Sequence, residues 1–320
     1  MSKKRRDDEP SGLDRVLALA DEAPAGLHDV APPSSSLPSG LPAPLIELYA
    51  RCDGARLYLD TIEILPSAEV TRDDAGRWRF GTIDGDALAL DARGRVWRAD
   101  PSLEDDVIEG TRLERWLGGV YDAVGLLYDG DGEFAEDVFG EDGEIEDKVV
   151  EQQLRAQLKR DASAPAPRWR LAHVLLGAGA VEDARKQLEQ VVVDAPELAW
   201  AWLDLARISE RTGDMANALE EARTAATAAA GHAQEGYFWA QLARIAAHAK
   251  DEPARAEAAG RAARLAPDLK AQQVAGVRAS LASEPPDVES ARGLMELLRA
   301  VWPRDLEVLA LASELDRGEN

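Results

Sequence analysis

The 320-residue chain has a single cysteine, Cys52, which excludes an internal disulfide framework and any cysteine-rich metal site. Its four histidines, His28, His173, His232 and His248, sit in unrelated surroundings with no H-E-x-x-H pair, so each reads as a packing or surface residue. Positive charge is scarce: 37 Lys and Arg stand against 60 Asp and Glu, a net charge of −23. Nucleic acids and anionic membranes are polyanions and are excluded as general partners. No apolar run approaches the ~18 residues of a membrane helix. The opening Lys3-Lys4-Arg5-Arg6 turns at once to acid, and Leu13 to Ala20 contains Asp14 and Arg15, which is no secretory signal. A cytoplasmic protein is expected.

Motifs for catalysis are missing too. Gly177-Ala178-Gly179-Ala180 has no strand before it and reads as a turn, not a phosphate cradle. Asp129-Gly130-Asp131-Gly132-Glu133 begins like a calcium loop, but Phe134 takes the sixth place and Gly140 the twelfth. Cys52 ends an amphipathic helix and reads as a small buried hydrophobe. No cofactor, no metal and no enzymatic activity are expected.

What the chain does have is acid in one place. Residues 101–150 carry three basic and sixteen acidic residues, whereas residues 151–300 carry nineteen and twenty-one. Glu133, Glu136, Asp137, Glu141, Asp142, Glu144, Glu146 and Asp147 form the densest run. Such a run is either a solvated loop or a surface that steers a basic partner.

Two textures divide the chain. Between Leu41 and Asp100, Leu57–Ile64, Trp78–Phe80, Ala87–Leu90 and Val96–Arg98 read as strands, with Asp91-Ala92-Arg93-Gly94 as a tight hairpin turn. Helices are predicted at Leu13–Ala20, Pro42–Arg51 and Thr111–Tyr121. Beyond Ile145 the strands cease. Val150, Leu154 and Leu158 mark a linking helix, Ala164-Pro165-Ala166-Pro167 punctuates the chain, and alanine-rich helical segments follow. The fold class expected is an α+β domain, a mixed sheet flanked by helices, followed by an all-α superhelix. The corresponding divisions are a charged tail at 1–10, the α+β domain at 11–143, a linker at 144–164 and helical repeats at 165–320.

Leu205-Ala206-Arg207-Ile208 recurs as Leu242-Ala243-Arg244-Ile245, and Leu171-Ala172 precedes it by a similar interval. With Trp202, Gly213, Ala218, Trp239, Ala259, Pro267, Ala279, Ala291 and Pro303, residues 165–320 resemble the tetratricopeptide repeat (TPR) family. Projecting that repeat assigns Trp169, His173, Trp200, Arg207, Arg211, Tyr237, Arg244 and His248 to a concave groove. There the arginines either grip a carboxylate of a bound peptide or acidic tail, or pair with Glu210 and Asp204.

Leu41-Pro42, Leu48-Tyr49, Asp53-Gly54, the run Gly85 to Trp97 and the helix Thr111–Leu117 resemble, in order and spacing, the SUKH (Smi/Knr-like) superfamily. The likeness covers roughly residues 11–130. Most members are bacterial immunity proteins that neutralise toxin domains, and fungal relatives are regulatory scaffolds. The resemblance implies binding without catalysis, to a protein such as a basic toxin domain. Tyr58, Trp78 and Trp97, with Asp129, Asp131, Glu133, Glu136 and Asp137, are the contact candidates on this part.

Overall fold

A computed structural model describes residues 12–317, so the charged tail at 1–10 lies outside the described residues. Two compact units divide between Gln187 and Leu188.

The first unit runs α1 (Gly12–Glu22), β1 (His28–Val30), α2 (Ala43–Tyr49), β2 (Ala55–Leu57), β3 (Ile62–Ile64), β4 (Thr71–Arg72), β5 (Trp78–Ile83), β6 (Asp86–Leu90), β7 (Val96–Asp100), β8 (Asp105–Gly110), α3 (Leu113–Val124), α4 (Asp147–Arg160) and α5 (Pro165–Gly177). Its strands form one sheet in the order β1-β2-β3-β5-β6-β7-β8, with β4 pairing β5 off the path. Every pairing is antiparallel. The stretch expected as one strand, Leu57–Ile64, is instead a hairpin: Leu57 pairs with Ile62. Tyr58, Leu59 and Asp60 turn the chain with φ of 54°, 53° and 77°. Three consecutive non-glycine residues in the left-handed region are costly and persist only where surrounding contacts hold them. The expected Asp91–Gly94 turn does form, with the Asp91 carboxylate accepting from the backbone N–H of Arg93 and Arg95 at 2.8 and 2.9 Å.

α1, α2 and α3 share one apolar core with the sheet, built on Leu45, Leu48, Tyr49, Leu57, Ile62, Phe80, Leu88, Leu90 and Leu117. Tyr49 Oη donates to the Leu65 carbonyl at 3.0 Å. Burial pushes the Cys52 thiol up to about 11, which leaves it protonated and inert at neutral pH.

α4, read from the sequence as a linking helix, packs along α3. The two backbones approach closely because α3 offers Gly119, where a Cβ would stand 3.1 Å from the Gln157 backbone. Asp161, just after α4, accepts from both the N–H and the hydroxyl of Thr111 at 2.6 Å. The Ala-Pro-Ala-Pro punctuation proves to be the first turn of α5, where proline's missing N–H costs no helical bond. Arg170 of α5 reaches Glu109 of β8 at 2.5 Å.

α6 (Val181–Asp194) spans the division. The second unit continues through α7 (Ala199–Arg211), α8 (Met215–Ala228), α9 (Glu235–His248), α10 (Glu252–Leu265), α11 (Leu269–Ala282), α12 (Val288–Val301) and α13 (Leu306–Arg317). α7–α8 and α9–α10 are successive helical pairs. An aspartate caps the second helix of three pairs, as Asp214, Asp251 and Asp287 accept from the N–H three residues on. The last pair departs from the regular stacking. α12, rather than α11, provides most of the packing on α9 and α10, because it is apolar on two faces. Leu297, Ala300 and Val301 join the α7–α10 core, while Ala291, Met295 and Leu298 pack with α11 and α13. The architecture is therefore α+β followed by an all-α run of helix pairs.

Candidate interaction surfaces

On the helical unit, the repeat brings one face of α7 beside the same face of α9. Trp200 and Tyr237 face each other with ring centroids 5.9 Å apart, and both are partly open. Below them runs a chain of polar contacts. Arg207 pairs with Asp204 at 3.2 Å and donates to Tyr237 Oη at 3.3 Å. Gln241 donates to the same oxygen at 2.8 Å and accepts from Arg244 at 3.1 Å. Arg244 then grips Glu210 with two hydrogen bonds, of 2.9 and 2.7 Å. His248 lies 2.6 Å from Glu210, with Glu296 of α12 3.6 Å from its other ring nitrogen. Burial alone would raise the Glu210 carboxyl, but hydrogen bonds from Arg244 and His248 outweigh it and hold that group below its usual range.

Of the two roles open to the arginines, the structure therefore adopts internal pairing. Three-residue spacing on one helix sets Asp204 beside Arg207, and an offset of 34 residues, just short of the interval from Leu205 to Leu242, sets Glu210 opposite Arg244. Arg244 is spent on its partner, with 13% of its side chain exposed, whereas Arg207 and His248 keep 40%. Arg211 is exposed at the end of α7. Trp169 and His173 belong to α5 in the other unit, where Trp169 is buried and His173 is exposed.

In the first unit the three aromatic candidates separate. Tyr58 is 5% exposed and belongs to the core. Its backbone N–H donates to His28 Nδ1 at 3.0 Å and its hydroxyl donates to the Tyr121 carbonyl at 3.0 Å. Tyr58 is thus no surface contact: the left-handed turn tucks its ring inward against His28 and Tyr121. Trp78 is half-buried against the core, under the Arg72 guanidinium at 4.4 Å. Trp97 lines an open cleft of about 360 Å³ on the sheet, floored by Ala87, Ala89 and Ala99. Arg77 and Arg95 lie 5.1 and 5.0 Å from its ring centroid, and its indole N–H donates to Asp91 at 3.1 Å. Burial would raise Asp91, but Arg95 and Trp97 outweigh it and keep that carboxylate low.

Asp129, Asp131, Glu133, Glu136 and Asp137 are all exposed. They lie on and between two short turns closed by the bridges Tyr128–Phe134 and Phe139–Ile145. Sequence reasoning weighed the acids and passed over the aromatics beside them, although Phe134 and Phe139 are 52% and 40% exposed. The signal was present: the acidic-glycine turn recurs, with Gly132 and Gly143 in equivalent places. Among the described residues, no group of three or more His, Cys, Asp or Glu side chains is placed to hold a metal, and no helix is long and apolar enough to cross a membrane.

No protein-family model matches the chain, and no curated protein does. Among solved structures, the chain is similar to MamA at 15% identity, covering 48% of this chain and 82% of that one, with a TM-score of 0.34. It is similar to YrrB, described as a TPR protein with an unusual peptide-binding site, at 12% identity, 52% and 82% coverage and a TM-score of 0.34. Similarity to pilF of Pseudomonas aeruginosa is 17% in identity, with 62% and 81% coverage and a TM-score of 0.36. Likenesses this distant assign no function, which the helix pairs and surfaces of this chain have to supply.

Proposed function

We propose that this chain is a non-catalytic protein-interaction scaffold whose TPR-like helices bind an extended segment of a partner. The observation that carries this is the face shared by α7 and α9. There Trp200 and Tyr237 are partly open above a polar ladder that fixes their surroundings, with Arg207 and His248 half-exposed at the border. Rigid aromatic anchors set among satisfied polar groups are the usual makings of a binding hot spot. Since Arg244 is paired with Glu210, recognition falls to ring stacking and to the open side of Arg207, not to a bidentate grip by two arginines. The test is selection of displayed peptides on the full chain, compared with a Trp200→Ala, Tyr237→Ala variant. Sequences enriched by the native chain and lost by the variant are expected. Equal enrichment on both would remove this face as the site.

A finer reading, an immunity-type module that neutralises a basic toxin domain, draws its support from the first unit. The opening helix α2, the β6–β7 hairpin and the closing helix α3 occupy the stretches that resemble the SUKH superfamily. The exposed acids at 129–137 would complement a basic target. Stoichiometric addition of the chain to basic toxin nucleases should abolish cleavage by one of them, and undiminished cleavage by all, including any encoded next to this chain, would discard this reading.

A further inference from the structure

The two acidic turns repeat one construction. The Asp129 N–H donates to the Glu133 carbonyl at 2.9 Å, and the Gly140 N–H to the Glu144 carbonyl at 2.8 Å. Aromatic rings join the turns to the core in a continuous series. Buried Tyr58 stacks on Tyr128 at 5.2 Å, Tyr128 on Phe134 at 5.0 Å, and Phe134 meets Phe139 edge-on at 5.1 Å. The series begins at Tyr58, 5% exposed, and ends in solvent at Phe134 and Phe139. An apolar floor rooted in the core and left open at its outer end has the form of a docking surface.

Its surroundings identify what it fits. Ten acids lie between Asp129 and Asp147, and no lysine or arginine occurs from Trp116 to Asp147. None of these ten carboxylates makes an ion pair among the described residues. Several acids elsewhere are neutralised within the fold, as Asp86 is by Arg98, Asp122 by Arg15 and Arg160, and Glu210 by Arg244. In this run ten acids within nineteen residues stay without an ion pair among the described residues, and their field faces whatever approaches the rings. The same chain shows how guanidinium groups settle on aromatic faces, at Arg72 over Trp78 and Arg95 beside Trp97.

We propose that the paired turns at 128–145 dock a lysine- or arginine-rich segment of a protein partner, its alkyl stems and cationic heads lying on Phe134 and Phe139 within the ring of acids. This rests on the second reading above, whose acids it shares, and is independent of the α7–α9 face. Charge attracts the segment and sets the salt dependence, while the rings separate an arginine next to an apolar residue from charge alone.

The test uses the full chain and three labelled peptides of equal length, alternating Arg with Leu, Arg with Ser, and Glu with Leu. The Arg/Leu peptide is expected to bind about tenfold or more tightly than the Arg/Ser peptide, weakening steeply with salt, while the Glu/Leu peptide does not bind. Phe134→Ser with Phe139→Ser, both solvent-exposed and checked for fold by circular dichroism, should weaken Arg/Leu binding about tenfold at an unchanged salt slope. Replacing Glu133, Glu136 and Glu141 by Gln should flatten the slope. Equal binding of the Arg/Leu and Arg/Ser peptides would overturn the proposal. So would full binding by the Phe134→Ser, Phe139→Ser chain together with loss in Trp200→Ala, Tyr237→Ala, an outcome that leaves the helical-face reading standing. Loss only in the phenylalanine variant supports the turns and leaves the helical face to its own test.

Discussion

In the first unit the fully enclosed positions hold large side chains: Tyr49, Phe80, Leu45, Leu48, Ile62 and Leu90 are each at 0% exposure. In the second unit many of them hold alanine: Ala206, Ala222, Ala226, Ala240, Ala243 and Ala262 are also at 0%, beside Leu203, Ile245 and Leu298. A sheet and its covering helices leave a wide gap that large residues must fill, whereas paired helices gain contact by bringing their backbones together. The first interior is thus vulnerable to loss of volume and the second to gain of it. The exposed candidate surfaces differ accordingly, since alanine interfaces leave the longer side chains of α7 and α9 for an outer face, while the acids and open rings of the sheet unit lie on turns.

The largest expected effect lies in the first unit. Phe80 meets Trp116 edge-on at 5.8 Å with no exposed surface. Phe80→Ala should cost about 3–5 kcal/mol in chemical denaturation, from lost transfer energy and an uncollapsed cavity. In the second unit the damaging change runs the other way. Ala243→Leu adds volume where α9 has none to give and should cost about 1–3 kcal/mol. A neutral Ala243→Leu would mean that the alanine interfaces are slack, and the contrast between the units would fail.

The same contrast explains what could be read in advance. Helix pairs announce themselves through period and small residues, so Leu205-Ala206 and Leu242-Ala243 located α7 and α9 directly. Strand limits were less legible. Leu57–Ile64 alternates as a strand should, yet it turns at Tyr58–Asp60, because pairing of Leu57 with Ile62 and of Ala55 with Ile64 gathers four apolar side chains on one buried face and leaves Arg56 and Glu63 on the other. β8 was hidden by its acids, as Asp105, Asp106 and Glu109 do not suggest a strand until Arg77, Arg98 and Arg170 stand beside them. The exchange of α11 for α12 on the α9–α10 pair depends on which helix has two apolar faces, a property of three-dimensional neighbours. At the sites, sequence supplied Trp200, Arg207 and Tyr237 but not the pairing that spends Arg244. It supplied the acids at 129–137 but not the aromatic series beneath them.

A smaller effect separates the units by pH. His28 Nδ1 accepts the Tyr58 N–H, which places the ring proton on Nε2, 3.2 Å from Tyr121 Oη. Burial lowers the His28 pKa from its ordinary 6.5, so the unfolded chain takes up the proton more readily than the folded one. The stability tied to neutral His28 is present above the unfolded value and is lost as pH falls through the lowered folded value. Comparing His28→Gln with the native chain at pH about 7.5 and about 5 should show a smaller acid-induced drop in the variant's denaturation midpoint. Equal drops would assign the acid sensitivity elsewhere.

The finest comparison is internal to the helical unit. Gly213 and Lys250 occupy the same place in successive pairs, one residue before the capping aspartates Asp214 and Asp251, with φ of 82° and 58°. Glycine takes that conformation without strain, whereas a side-chain-bearing residue loses about 1 kcal/mol to contact between its Cβ and the following carbonyl. Lys250→Gly should therefore raise the denaturation midpoint by an equivalent of about 0.5–1 kcal/mol, and Gly213→Ala should lower it by a similar amount. Opposite signs at equivalent positions are what a shared left-handed turn requires. A destabilising Lys250→Gly would instead mean that the lysine stem contributes packing worth more than the strain it carries.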